Sequence, residues 1–165
     1  MLKLFICFCI VLSIDASEIV LARLENTISN EKQRYGLRNY TFECKVYGIL
    51  TLETLYYRSK IGSICRKNID AFYKKYPKKR YFADTTLKYK QLYHIENKKD
   101  GCIVYAKGQR SLSELLIEEG LAVKKPFFHD EEFRYYFTAV QRKAKMQKKG
   151  LWSVNIFNDC IAEQY

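Results

Sequence analysis

Residues 111–122 read "SLSELLIEEGLA", and this stretch decides more of the fold than any other. Ser111, with Glu114 three positions on, makes a capping-box pattern in which each side chain can reach the other's backbone N–H. Leu112, Leu115 and Leu116 then mark the buried face of a helix, and Gly120 supplies its left-handed stop. The same grammar returns on a longer scale at residues 130–150. Asp130 caps, Glu131 and Glu132 sit at the positive end, and Phe133, Tyr136, Phe137, Val140 and Ala144 form the apolar stripe. Lys148 and Lys149 close that helix before Gly150.

Working back toward the N-terminus, "NKKDG" (97–101) carries the asparagine, aspartate and glycine of a short hairpin loop. It joins "CIVYA" (102–106) to "TLKYKQLYHIE" (86–96), whose imperfect alternation predicts an exposed-edge strand. A helix is expected over 61–75, with Ile61, Ile64, Cys65, Ile69, Phe72 and Tyr73 approximating one face and Pro77 ending it. Its basic sequel "KKYPKKR" (74–80) reads as a solvated loop. Further upstream, "EIVLARLENTI" (18–28) and "RNYTFECKVYGIL" (38–50) are strand-like, with polar "SNEKQRYG" (29–36) as the connection between them. The pattern predicts an α+β chain: a small β-barrel with helices packed beside it.

The composition agrees with a folded domain. The 165 residues are 48% hydrophobic and 15% aromatic, with two prolines and seven glycines, which excludes a disordered or linker-rich chain. The opening "MLKLFICFCIVLSIDAS" has Lys3, an apolar run from Leu4 to Ile14, and small residues at Ala16 and Ser17. That run is shorter than the ~20 residues of a membrane span, so residues 1–16 are expected to be a cleaved secretory signal and 17–165 one domain with a short tail. The alternative is a membrane anchor formed by the uncleaved N-terminus. Cleavage would remove Cys7 and Cys9 and leave Cys44, Cys65, Cys102 and Cys160, an even number with three possible pairings. It would also remove one lysine and one acid (Lys3, Asp15), leaving the net charge at +11. A secreted or periplasmic protein of that charge is expected to attract polyanions, DNA or RNA first. His94 and His129 are too few and too scattered for a metal cluster.

The words "ELLIEEGLA" (114–122) and "AKMQKKGLW" (144–152), with this order of elements, resemble the staphylococcal-nuclease-like (thermonuclease) domain family. The resemblance implies a five-stranded OB-type barrel with three helices over roughly residues 19–153. It also gives meaning to "CKVYGILTLE" (44–53), which is similar to the family's "V-R-L-x-G-I-D-x-P-E". On that likeness Glu53 stands at the general base and Lys45 at a phosphate-binding arginine, while Leu50 and Leu52 replace the calcium-ligating aspartate and the proline. The family's "D-G-D-T" is matched best by "LENT", which places Asn26 at a second metal position beside Thr27, or Glu25 if the register shifts by one. Asn26 and Thr51 are thus the positions left to hold calcium or another divalent ion, a degenerate set, since calcium wants several hard oxygen ligands. The second arginine is replaced by Lys98 or Lys99, with Lys99 joining Glu53 and Lys45 as the catalytic candidates. "AVKKPFFH" (122–129) puts Lys124, Lys125, Phe127 and Phe128 where the family stacks bases. A lysine lacks the fork with which arginine grips two phosphate oxygens, so the site is expected to keep its hold on polyanions better than its chemistry. Three functions follow: a metal-assisted endonuclease, a catalytically inactive binder of nucleic acid or another polyanion, or an interaction module built on the same barrel.

Overall fold

The computed structural model describes residues 19–153 and 156–162; the expected signal segment and its cleavage site lie outside them. Strands β1 (Ile19–Thr27), β2 (Lys32–Leu37) and β3 (Tyr40–Lys45) form an antiparallel meander. Residues 29–36, expected as a connection, are thus mostly strand: only 28–31 turn, and Gln33 and Tyr35 point inward from β2. The sequence hides this because lysine, glutamine and arginine dominate a strand with only two buried positions.

On its other side β1 pairs with β5 (Leu92–Lys98), which pairs in turn with β6 (Gly101–Lys107) and through it with the short β7 (Arg110–Ser111). The expected edge strand therefore lies inside the sheet, whose order is β3-β2-β1-β5-β6-β7. It also begins at Leu92, not residue 86. Tyr93 and Ile95 are buried, and β5 has neighbours on both sides.

The barrel closes where β3 meets β6. Val46 and Cys102 form a parallel bridge, the Tyr47 N–H donates to the Cys102 carbonyl at 3.2 Å, and a disulfide joins Cys44 to Cys102. Gly101 makes this seam possible, because a Cβ there would sit 2.4 Å from the Lys45 carbonyl oxygen. The chain then turns at Gly48, so residues 38–50 are not one strand, and enters β4 (Ile49–Thr51), which pairs with β8 (Ala122–Lys124).

Helices α2 (Ile64–Lys75), α4 (Leu112–Glu118) and α5 (Glu131–Met146) pack on this frame. Between β4 and α2 runs α1 (Leu52–Arg58), which the sequence reading lacked. The basic stretch 74–80, expected as a solvated loop, is instead the end of α2 and most of a 3-10 turn at Pro77–Tyr81, and α3 (Phe82–Thr86) follows it. The capping box of α4 is present with both halves, and Asp130 caps α5 by accepting from the Phe133 N–H. Phe133, Phe137 and Ala144 are buried as the stripe requires, whereas Tyr136 is exposed. The "GLA" and "GLW" words interlock: the Leu151 N–H donates to the Gly120 carbonyl at 2.9 Å, and both leucines that follow the glycines are fully buried. Helix α6 (Ile156–Ala162) is held to α2 by a second disulfide, Cys65–Cys160. No described helix is long and apolar enough to cross a membrane.

Candidate functional site

Thr51 ends β4 in an extended conformation, and its hydroxyl accepts from the Thr54 N–H at 3.1 Å, which starts α1 at Leu52. Glu53 therefore lies in the first helical turn, where the backbone N–H groups favour a carboxylate. Its Oε1 accepts from Asn30 Nδ2 at 3.1 Å and from the Tyr73 hydroxyl at 3.2 Å. Asn30 is buried in the β1–β2 turn; its Nδ2 also donates to the Lys79 carbonyl, and its Oδ1 accepts from the Ala83 N–H. One amide thus ties three segments of chain around Glu53. Burial pushes the Glu53 carboxyl above the usual carboxylate range, and hydrogen bonds from its own N–H, Tyr73 and Asn30 offset only part of that.

Glu53 lines a cavity of about 650 Å³ shared with Asn30, Tyr56, Tyr73, Arg80 and Asp84. Tyr73 is buried, while Arg80 and Asp84 are exposed. The Arg80 guanidinium lies 5.2 Å from the centre of the Tyr73 ring. Neither Arg80 nor Asp84 has an ion-pair partner among the described residues. Lys79, beside Arg80, is instead paired with Glu119, which Lys149 also holds, at 3.2 Å.

Neither Lys45 nor Lys99 lines the Glu53 cavity. Lys45 Nζ pairs with Glu31 Oε1 at 2.7 Å, and Lys99 is exposed in the β5–β6 turn. Lys125, half-buried after β8, has its ammonium pKa lowered first by burial; Lys45 and Arg58 push the same way, while Asp100 pulls against them. Lys98 is committed to the fold: Glu96 holds it at 2.7 Å and Asp130 at 3.5 Å, and it lies over the Phe133 ring. Burial disfavours its charge, but the two carboxylates outweigh that and raise its pKa. Lys124 is half-buried on β8 with its backbone N–H bonded to Gln141.

The two phenylalanines separate. Phe128 is 9% exposed, stacked on Phe137 with ring centres 5.6 Å apart and edge-on to Tyr47, so it belongs to the core. Phe127 is 82% exposed with a positive φ of 56°, which holds its ring out of the core.

The residues set aside for a metal do not make an acid-rich cation site. The Leu50 side chain is in the core, the Thr51 hydroxyl is spent on capping α1, and Asn26 is exposed on β1 opposite Arg34. Glu25 is held by Arg23 at 2.8 Å. The carboxylate that does stand beside Lys45 is Glu31, which the sequence reading missed by taking residues 29–36 as a featureless connection. Asn30 and Arg80 were missed as well. The signal for Glu31 was its place immediately before a strand whose first residue, Lys32, pairs with Lys45. Asn30 and Arg80 have no such signal, because only the packing of α2 and the following 3-10 turn brings them to Glu53.

A model described as staphylococcal nuclease homologue matches residues 68–154, which is 87 of the 165 residues. The match begins inside α2 and takes in β5, β6, α4 and α5, leaving Lys45 and Glu53 upstream of it. No curated protein matches the chain.

Proposed function

The chain belongs to the staphylococcal nuclease homologue family, and from that premise we propose that it binds single-stranded DNA or RNA through a basic face. Lys45, Arg58, Lys99 and Lys125 would meet phosphates, and exposed Phe127 would offer a ring to a base. The observation that carries this reading is Phe127, whose ring is 82% exposed two residues beyond Lys125 on the segment that follows β8. A net charge of +11 attracts polyanions to the molecule as a whole. Two disulfides support a secreted or periplasmic setting.

The test is the salt dependence of binding to a single-stranded oligonucleotide. Each phosphate contact on a single strand contributes about 0.7 to the slope of log K against log salt. The triple variant Lys45→Ala, Lys99→Ala, Lys125→Ala should therefore flatten the slope by about 2. An unchanged slope would return the charge to general surface composition.

A second reading, phosphodiester hydrolysis, is favoured by the raised pKa of Glu53, since a general base works best with a pKa near the working pH. The assay is cleavage of DNA and RNA with calcium, magnesium, manganese or chelator. Turnover that survives in Glu53→Gln would remove Glu53 from the chemistry.

A further inference from the structure

The cavity beside Glu53 has a different character from the basic face. Tyr56, Tyr57, Tyr73 and Tyr81 all contribute to it, so its walls are rich in flat aromatic surface. Its cation, Arg80, is exposed and has no carboxylate partner among the described residues, although the Tyr73 ring steadies it. Two carboxylates, Glu53 and Asp84, offer acceptors, and Thr27, Ser29 and Asn30 contribute further polar groups. A volume of about 650 Å³ lies within the ~300–1,000 Å³ of small-ligand sites and is far too small for a duplex.

We propose that this cavity is a separate site for a single nucleotide, free or at a strand end, with its phosphate on Arg80 and its base against the tyrosine rings. The ligand must join three features: an anionic group for a guanidinium fork, a flat ring, and N–H or O–H donors for carboxylates. A nucleotide phosphate matches the fork bidentately. Its base has a π-face for tyrosine, and its amino groups and sugar hydroxyls are the donors that Glu53 and Asp84 would accept from. Tyr73 couples the two ends, giving its hydroxyl to Glu53 and its ring face to Arg80. The inference rests on the nucleic-acid reading above, but it uses different residues: neither Lys45 nor Lys125 lines the cavity.

The experiment is titration calorimetry of the oxidised protein with the four nucleoside 5′-monophosphates and the matching nucleosides, beside a 20-mer single strand. The expected result is binding of at least one monophosphate, tighter by tenfold or more than its nucleoside. Arg80→Ala should weaken it at least tenfold, Arg80→Lys should weaken it less, and Lys74→Ala, an exposed cation on α2 outside the cavity, should leave it within twofold. Because Arg80 is exposed, its replacement is not expected to unfold the protein. No monophosphate binding, with the 20-mer still bound, overturns the cavity site and leaves the nucleic-acid reading standing. Monophosphate binding that survives Arg80→Ala but is lost in Lys45→Ala, Lys125→Ala overturns it too, by moving the phosphate to the basic face. A protein that binds neither ligand overturns both readings.

Discussion

Gly120→Ala would place a methyl group where the chain has no room for one. Gly120 has a φ of +67°, and a Cβ built on it lies 2.2 Å from the Lys149 carbonyl oxygen and 2.6 Å from its carbon. The left-handed conformation alone costs about 1–2 kcal/mol for a residue with a side chain. The contact is a second, separate cost, because the obstacle is backbone and cannot rotate away. Relieving it means parting the α4 stop from the turn at Gly150, which breaks the bond from Leu151 N–H to the Gly120 carbonyl. Leaving such a buried pair unmade costs about 1–3 kcal/mol, and partial withdrawal of fully buried Leu151 adds roughly 1 kcal/mol. The total is about 3–6 kcal/mol, a large share of the ~5–15 kcal/mol that stabilises a domain.

Gly108→Ala is the control. Gly108 has a φ of +61°, but no atom lies within 4 Å of the Cβ position, so only the conformational cost of about 1–2 kcal/mol applies. Urea unfolding of both variants, followed by far-ultraviolet circular dichroism, measures the difference. The fluorescence of Trp152, the only tryptophan, reports on the perturbed turn itself. If Gly120→Ala costs no more than Gly108→Ala, the two turns do not lock against each other.

Other expectations concern the staples and Glu53. The disulfides span 58 and 95 residues, for which chain entropy gives about 4.2 and about 4.7 kcal/mol. Removing either pair by Cys→Ala should lower the unfolding free energy by a comparable amount and the denaturant midpoint with it, and an unchanged midpoint after reduction would refute the pairing. Glu53 has a folded pKa above its unfolded value, so its contribution to stability is present below the unfolded pKa and is lost as pH rises through the folded one. Glu53→Gln does not titrate; its stability relative to wild type should rise between pH 4 and pH 8. A difference independent of pH would show that Glu53 is not strained by burial.

The second half of the chain is legible because its signals are local. A capping box, an apolar stripe and a glycine stop act within a few residues, and Ser111 to Gly120 contain all three. Cys44, Cys65, Cys102 and Cys160 could be counted but not paired, since three pairings satisfy the same arithmetic. The likeness in "CKVYGILTLE" singled out Lys45 and Glu53, which lie at the end of β3 and in the first turn of α1, with β4 between them. Their neighbours could not be read in the same way. Lys98 looks like a free cation until Glu96 and Asp130 are seen around it, and Phe127 and Phe128 look equivalent until the backbone sends one outward and one into the core.

By itself the sequence determined helices α2, α4 and α5, the hairpin at Asn97–Gly101, the basic charge and the family likeness, because each depends on composition or on contacts a few residues apart. Only the tertiary structure decided that Asn30, Glu53, Tyr73 and Arg80 meet at one cavity while Lys45 stands apart from it beside Glu31. Those residues come from a β-turn, two helices and a 3-10 turn separated by up to 50 positions, from Asn30 to Arg80. What brings them together is the burial of α2 against the barrel and the three hydrogen bonds of one asparagine side chain, and neither leaves a periodic mark in the sequence.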